Sequence, residues 1–168
     1  LPLAPQAALL PSAERLVPVP ATQVQFAADS FWGPRLATNC ETTLLHGAEM
    51  LEQHGQFGNF RIAAAALGHA VPGGVAPPAE YAGVHFYDSD AYKWLEACCL
   101  TLQQPPPAGL DPARAEALRA DLRARADRFV EQIAAAQRDD GYIQTQYVVQ
   151  GQQPWSNLKD DHELYCAG

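Results

Sequence analysis

One stretch of the sequence, from Phe86 to Glu96, crowds carboxylates, a hydroxyl, aromatic rings and a lysine into a predicted turn and helix. Asp90, Lys93 and Trp94 follow the spacing i, i+3 and i+4, which places them on one face of a helix. Such a face suits a sugar, because a carboxylate accepts hydrogen bonds from hydroxyl groups while an indole ring covers apolar C–H surface. The sequence therefore predicts a sugar-binding face here.

Asp88 and Asp90 could also be read as the two carboxylates that glycosidases place across the bond they cleave. Residues two positions apart at a helix start point in different directions, however, so a shared catalytic role is not favoured. Asp88 or Ser89 is instead predicted to cap the helix by accepting a hydrogen bond from a free backbone N–H. Both aspartates stay candidates for binding a sugar, and Asp90 has the better case as a sugar-binding or wall-orienting acid.

The elements that must position these residues are predicted to be helices. Apolar residues recur at spacings of three and four over much of the chain, which is typical of buried helical stripes. Asp111 and Pro112 are suited to begin a helix, and Gly55 is suited to end one. We therefore expect helices over Pro34–His54, Asn59–Leu67, Ser89–Gln103 and Asp111–Gln137, and the start of one more near Asp160 or Asp161.

Three finer expectations concern how these elements pack. In the helix Ser89–Gln103 the more apolar stripe, and hence the predicted buried one, is Tyr92, Leu95, Cys99 and Leu102. The arginines of the helix Asp111–Gln137, including Arg119, are expected to be solvated. The segment Tyr142–Val149 alternates poorly between apolar and polar residues, so it is predicted to be a loop or a short strand.

Composition narrows the class of protein. The chain has 168 residues, of which 48% are hydrophobic and 18% charged, so we expect a globular domain with its own core. The net charge of −8 argues against an electrostatic nucleic-acid surface, which needs clustered Lys and Arg. No run of about 18 apolar residues is present, so no membrane span is predicted. The prolines near the start predict an extended arm or linker over residues 1–20.

The cysteines and the first residue bear on the compartment. The four cysteines, Cys40, Cys98, Cys99 and Cys166, are interpreted as small buried hydrophobes rather than a disulfide framework. The chain starts at Leu1 rather than Met, so we expect that a preceding segment has been removed or omitted. Together with the Pro- and Ala-rich arm this favours a secreted or periplasmic protein, with a cytoplasmic one as the alternative.

Three further stretches accompany Phe86–Glu96 in a fixed order along the chain: Asp29–Leu36, Ala136–Ile143, and Trp155–Leu158 leading into His162–Gly168. Together the four resemble the N-terminal part of the catalytic domain of glycoside hydrolase family 127, the β-L-arabinofuranosidase family. The resemblance covers roughly Val19 to Gly168. It implies an all-α fold, the N-terminal part of an (α/α)6 barrel, in which loops at one end of two helical rings build the site.

By this comparison the chain holds fewer than half of the barrel helices. Residues 21–168 are therefore expected to be the N-terminal part of a truncated catalytic domain, with the remainder of that domain as partner. The resemblance implies a glycosidase that removes non-reducing-end β-L-arabinofuranose from arabinose-containing glycans with retention of configuration. The alternatives are a non-catalytic carbohydrate-binding or helical interaction module and an inactive gene fragment.

The resemblance also points to site residues. In the family, the histidine of the His-Glu-x-Tyr segment, here His162, is implied to hydrogen-bond the arabinofuranosyl unit. Imidazole suits that role because its two nitrogens can donate and accept at once. Glu163 and Tyr165, elsewhere on the same helix, are expected to support the wall. Tyr142 and Trp155 lie beside the motifs and are candidate stacking platforms, with burial equally open for both.

The family's catalytic groups are not expected in this chain. Its mechanism uses a zinc-held cysteine thiolate as nucleophile and a glutamate as acid and base, and these residues lie in the C-terminal part of the domain. Cys98 and Cys99 are a false match to the family's adjacent cysteines, because they sit mid-helix without its Gly and Pro context. We therefore predict no catalytic residue, no zinc and no other metal site here, and we expect the chain to be inactive by itself.

Overall fold

The computed structural model describes residues 17–167, and all regular structure in that range is helical. The α-helices are α1 Gly33–Thr38, α2 Leu44–Gln53, α3 Gln56–Ala66, α4 Asp88–Gln103, α5 Pro112–Ala136, α6 Thr145–Gln150 and α7 Glu163–Ala167. A π-helical segment, Asn39–Thr43, joins α1 to α2, and 3-10 turns occupy Ala21–Gln23 and Pro72–Gly74. Most of the predicted arm, residues 1–16, lies outside the described residues.

The core lies where α2, α3, α4 and α5 meet. Phe129 of α5 is its centre, because its ring lies 4.6 Å from that of Phe57 and 5.0 Å from that of Phe60, centroid to centroid. Trp94 of α4 packs against the rings of Phe57 and Phe129, and its indole N–H donates a 2.8 Å hydrogen bond to the Leu44 carbonyl. Each fully buried large apolar side chain contributes about 1.5–3 kcal/mol, so this aromatic cluster holds the four helices together.

Two predicted helix boundaries are confirmed by their geometry. The Asp111 carboxylate accepts a 2.9 Å hydrogen bond from the Arg114 backbone N–H and caps α5, with Pro112 in the first turn. Gly55 has φ of 86°, a left-handed conformation that glycine adopts without a Cβ clash, and it separates α2 from α3. The predicted helix Pro34–His54 follows the course of α1 and α2, with the π-helical segment between them.

The predictions for α4 were wrong in two respects. Its N-cap residue is Tyr87, and no side chain caps the helix, because the Asp88 carboxylate bonds to another element. The fully buried stripe consists of Ala91, Trp94 and Cys98, whereas the predicted Tyr92, Leu95 and Leu102 are partly buried against the core and Cys99 is exposed. Trp94 is therefore a core residue and takes no part in a sugar-binding face. The size of the Trp94 side chain and its hydrogen bond to Leu44 determine which face of α4 is buried. Neither can be read from the spacing of apolar residues in the sequence.

Two further predictions were wrong because contacts from distant residues decide the local structure. The segment expected as a loop or short strand contains a helix, α6, whose first residue Thr145 bonds to Asp88. Arg119 is not simply solvated, since its guanidinium donates to the carbonyls of Thr101, Leu102 and Gln104 at the end of α4. None of the described helices has the length and hydropathy needed to cross a bilayer.

Candidate sugar-binding site

Asp88 fixes the point at which α6 begins. Its carboxylate is 1% exposed and accepts hydrogen bonds from the backbone N–H and the hydroxyl of Thr145, both at 2.7 Å. The Tyr81 hydroxyl lies 2.9 Å from the Thr145 hydroxyl oxygen and completes the group. Burial raises the pKa of Asp88 to about 6, although the Thr145 hydrogen bonds act in the opposite direction. Asp88 therefore joins α4 to α6 below the surface.

Glu163 organises the loop that precedes α7. Its fully buried carboxylate accepts hydrogen bonds from the backbone N–H groups of Trp155 and Asn157, the second at 2.7 Å, and from the Tyr142 hydroxyl. Burial, followed by the hydrogen bond to Glu163, raises the pKa of Tyr142 far above its ordinary value, so the phenol keeps its proton and acts as donor. Glu163 therefore holds this loop from inside, and its support of a sugar-pocket wall stays a prediction.

Gln144 is a second buried tie to the same loop. Its side-chain amide donates to the Asp161 carbonyl at 3.0 Å and to the His85 carbonyl at 3.1 Å. The Asp161 carboxylate accepts a 2.7 Å hydrogen bond from the Tyr147 hydroxyl. The backbone before His162 is therefore attached both to α6 and to the turn that leads into α4.

His162 lies at the surface above these contacts. Its ring stacks on that of His85, with centroids 5.2 Å apart and an interplanar angle of 24°, and Phe86 and Tyr165 flank it. Nδ1 lies 3.0 Å from the Asp160 carbonyl, so Nδ1 carries the hydrogen and Nε2 is the nitrogen left to meet a ligand. An exposed imidazole between aromatic faces can bind a hydroxyl group and cover C–H surface beside it.

A groove lies between α4 and α7, and Tyr165, which lines it, flanks the His162 ring. It encloses about 730 Å³ and is lined by Ser89, Tyr92, Lys93, Glu96, Leu164 and Tyr165. The Lys93 ammonium lies 3.5 Å from an Asp90 oxygen and 5.0 Å from the centre of the Tyr165 ring. Its hydrogen bond to the Tyr165 phenol lowers the pKa of that phenol. The groove therefore offers a paired cation and carboxylate beside an aromatic ring.

The five residues predicted to bind sugar divide into two layers. His162, Asp90 and Trp155 reach the surface, and the Trp155 indole is 49% exposed with its ring against the edge of Tyr142, 4.9 Å between centroids. Asp88 and Tyr142 lie beneath them and are buried. Sugar binding by these residues stays a prediction, and the geometry gives direct access to the upper three alone.

Sequence reasoning missed His85 and Gln144. His85 directly precedes the aromatic and acidic stretch, and that position was its only signal. Gln144 belongs to a segment expected as a loop or strand, where nothing marks an amide that bonds to carbonyls 59 and 17 positions away. Both contacts depend on the tertiary fold.

The described residues do not provide a zinc site of the kind expected for the family that the sequence resembles. Within residues 17–167, no three His, Cys, Asp or Glu side chains lie close enough to share a metal ion. Burial raises the pKa of Cys98 and that of Cys166 to about 12, so both are thiols at neutral pH. Cys99 is exposed while Cys98 is buried, so the two do not converge on one point.

With this geometry established, comparison with known proteins decides the family. The model of the β-L-arabinofuranosidase GH127 catalytic domain matches residues 23–168. The chain belongs to this family. This match confirms the resemblance of the four sequence stretches to GH127.

Two GH127 relatives give the extent of the likeness. The non-reducing end β-L-arabinofuranosidase of Bifidobacterium longum subsp. longum is 36% identical over 94 residues, which are 53% of this chain and 12% of that enzyme. The crystal structure of a GH127 β-L-arabinofuranosidase from Geobacillus stearothermophilus T6 matches 84% of this chain and 20% of its own, with a TM-score of 0.63 and 31% identity. The predicted all-α fold, part of an (α/α)6 barrel, is confirmed by this likeness.

Proposed function

We propose that this chain supplies one wall of the sugar pocket in an enzyme that removes β-L-arabinofuranose from the non-reducing end of arabinose-containing glycans. The observation that carries the proposal is His162, an exposed imidazole that is stacked on His85 and flanked by Tyr165, a residue of the neighbouring groove. Family membership supports the reaction class, since both relatives described above are β-L-arabinofuranosidases.

The chemistry of the wall fits a neutral furanose. Nε2 of His162 can accept a hydrogen bond from one ring hydroxyl, and the Asp90 carboxylate can accept one from another. The exposed face of Trp155 can cover the C–H surface of the ring. These residues bind and orient the sugar. The groups that break the glycosidic bond belong, in this proposal, to the remainder of the catalytic domain.

The test uses the catalytic domain that contains these residues together with its remaining helices. His162→Ala should lower kcat/KM on nitrophenyl β-L-arabinofuranoside by about 10-fold to 100-fold, the effect of a hydrogen bond to substrate in a site shielded from water. His46→Ala is the matched control, because His46 is exposed on α2, where its Nδ1 lies 3.9 Å from a Glu49 carboxylate oxygen. The control should retain the parent kcat/KM.

Three results would distinguish the alternatives. Equal kcat/KM for His162→Ala and His46→Ala would show that His162 does not contact the sugar. Faster release from the β-L-arabinopyranoside than from the furanoside would overturn the sugar assignment. Calorimetric binding of methyl β-L-arabinofuranoside with no hydrolysis of any arabinoside would mean a carbohydrate-binding module instead of an enzyme.

A further inference from the structure

Two surface residues of the candidate site have an uncommon backbone conformation with positive φ. His162 has φ of 53° and Trp155 has φ of 63°, a left-handed conformation that is uncommon outside glycine and makes the bulky tryptophan an outlier. Such a conformation persists where neighbouring contacts over-determine it. The loop 151–162 must therefore be held by something other than its own preferences.

The contacts that hold it come from below the surface. Glu163 receives the N–H groups of Trp155 and Asn157, while Gln144 binds the carbonyl directly before His162. The Tyr142 hydroxyl links the two, because it donates to Glu163 and lies 3.1 Å from the amide oxygen of Gln144. We refer to these three buried side chains, Tyr142, Gln144 and Glu163, as the polar clamp.

We propose that the polar clamp is a positioning device that fixes His162, His85 and Trp155 in the geometry that binds the sugar, without touching the sugar itself. Gln144 sets the histidine pair, because one amide group donates both to His85 and to the residue before His162. Glu163 sets Trp155 through the backbone N–H of that residue. The proposal rests on the proposed function for its consequence, although the positioning itself can be measured without a substrate.

The chemistry of the clamp depends on side-chain type more than on side-chain size. Glu163 takes three donors on two oxygens, which an ionised carboxylate can do. A glutamine of the same shape would turn an N–H₂ group toward at least one of those donors. Glu163→Gln should therefore release the loop while it leaves the volume of the interior unchanged.

Hydrogen–deuterium exchange of the catalytic domain without substrate tests the positioning. In Glu163→Gln, amides of residues 151–162 should exchange at least about 10-fold faster, while those of α5 keep the parent rate. Glu131→Gln is the matched control, because Glu131 is exposed on α5 and the same chemical change there should alter neither region. Unchanged exchange in residues 151–162 of a folded Glu163→Gln protein would overturn the proposal.

Kinetics on nitrophenyl β-L-arabinofuranoside then show whether the clamp acts through His162. Glu163→Gln should lower kcat/KM by about 10-fold, mainly by raising KM. The double variant with His162→Ala should lose less than the sum of the two single losses, since Glu163 then has only Trp155 left to position. Fully additive losses in the double variant would contradict the proposal, because they would mean that Glu163 acts independently of His162.

A second variant keeps the proposal testable if Glu163→Gln fails to fold. Gln144→Met has nearly the same volume and removes both donated hydrogen bonds, so it should accelerate exchange around His85 and His162 about 10-fold. Faster exchange with kcat/KM unchanged would support the positioning device and refute sugar binding at this loop. Unchanged exchange in the folded variant would overturn the positioning device, whatever the kinetics.

Discussion

The middle and the start of α4 are stabilised in different ways. Around Trp94, in the middle of the helix, aromatic rings of α3 and α5 pack against one another and bury apolar surface. Around Asp88, at the start of the helix, buried carboxylates and amides meet the backbone of α6 and of the loop before α7. The core is therefore specified by side-chain volume, and the candidate site by hydrogen-bond complementarity.

This contrast predicts different responses to substitution. A core that depends on volume tolerates changes of similar size, since apolar burial has no direction. A polar cluster that depends on matched donors and acceptors is sensitive to isosteric changes and to pH, because an unmatched buried group costs its desolvation.

The largest loss of stability is expected from Phe129→Ala. Phe129 is 2% exposed and touches the rings of Phe57, Phe60 and Trp94, so its removal leaves a cavity among four helices. The free energy of unfolding should fall by about 3–5 kcal/mol, measured by urea denaturation. Val130→Ala, one position along and 49% exposed, should change it by less than about 0.5 kcal/mol.

The next effect is a pH dependence carried by Asp88. Because burial raises its pKa to about 6, the folded state keeps the proton over a range in which the unfolded state has lost it. The contribution of Asp88 to stability is therefore fully present below pH about 4 and is lost as the pH rises to about 6. The size of the loss, from a shift of about two units, is about 3 kcal/mol.

Asp88→Asn removes this titration and leaves the side-chain shape in place. The difference in unfolding free energy between the parent protein and Asp88→Asn should move by about 3 kcal/mol in favour of the variant from pH 4 to pH 7. Urea denaturation at a series of pH values measures it. Phe129→Ala provides the comparison, since its loss should be the same at every pH. A constant difference for Asp88→Asn would contradict the assignment.

A smaller effect is expected at the far end of α4, where Arg119 donates to three backbone carbonyls. Its hydrogen bonds satisfy acceptors that a helix end leaves open, and Arg119→Ala should lower the free energy of unfolding by about 1–2 kcal/mol. Arg123 is an exposed arginine that, like Arg119, lies on α5. Arg123→Ala should change the free energy of unfolding by less than about 0.5 kcal/mol. Equal effects for the two variants would make Arg119 an ordinary surface residue.

The same contrast explains what could be predicted from the sequence. The long helix α5 was predictable because its apolar period, its capping aspartate and its proline agree with one another. Helix α6 was not, because its start depends on Asp88, which lies 57 positions earlier. The buried face of α4 was placed wrongly because Trp94 hydrogen-bonds to Leu44, a contact across helices.

The candidate site shows the same division. His162 was found because it belongs to a motif of the family, and motif positions can be read along the chain. His85 stacks on it through a fold that brings together residues far apart in sequence, so only the structure reveals the pair. Tyr142 and Asp88 were predicted beside the sugar, and the structure places them one layer below.

The long sequence separations that Gln144 and Thr145 bridge also set an order in time. Gln144 reaches back 59 positions to His85, and Thr145 reaches back 57 to Asp88, whereas the rings of α3, α4 and α5 all precede residue 137. Ribosomes deliver a chain from its N-terminus at about 5–20 residues per second. The aromatic core can therefore assemble seconds before the segment that carries His162 has emerged. The segment that carries His162 then joins a scaffold that is already in place.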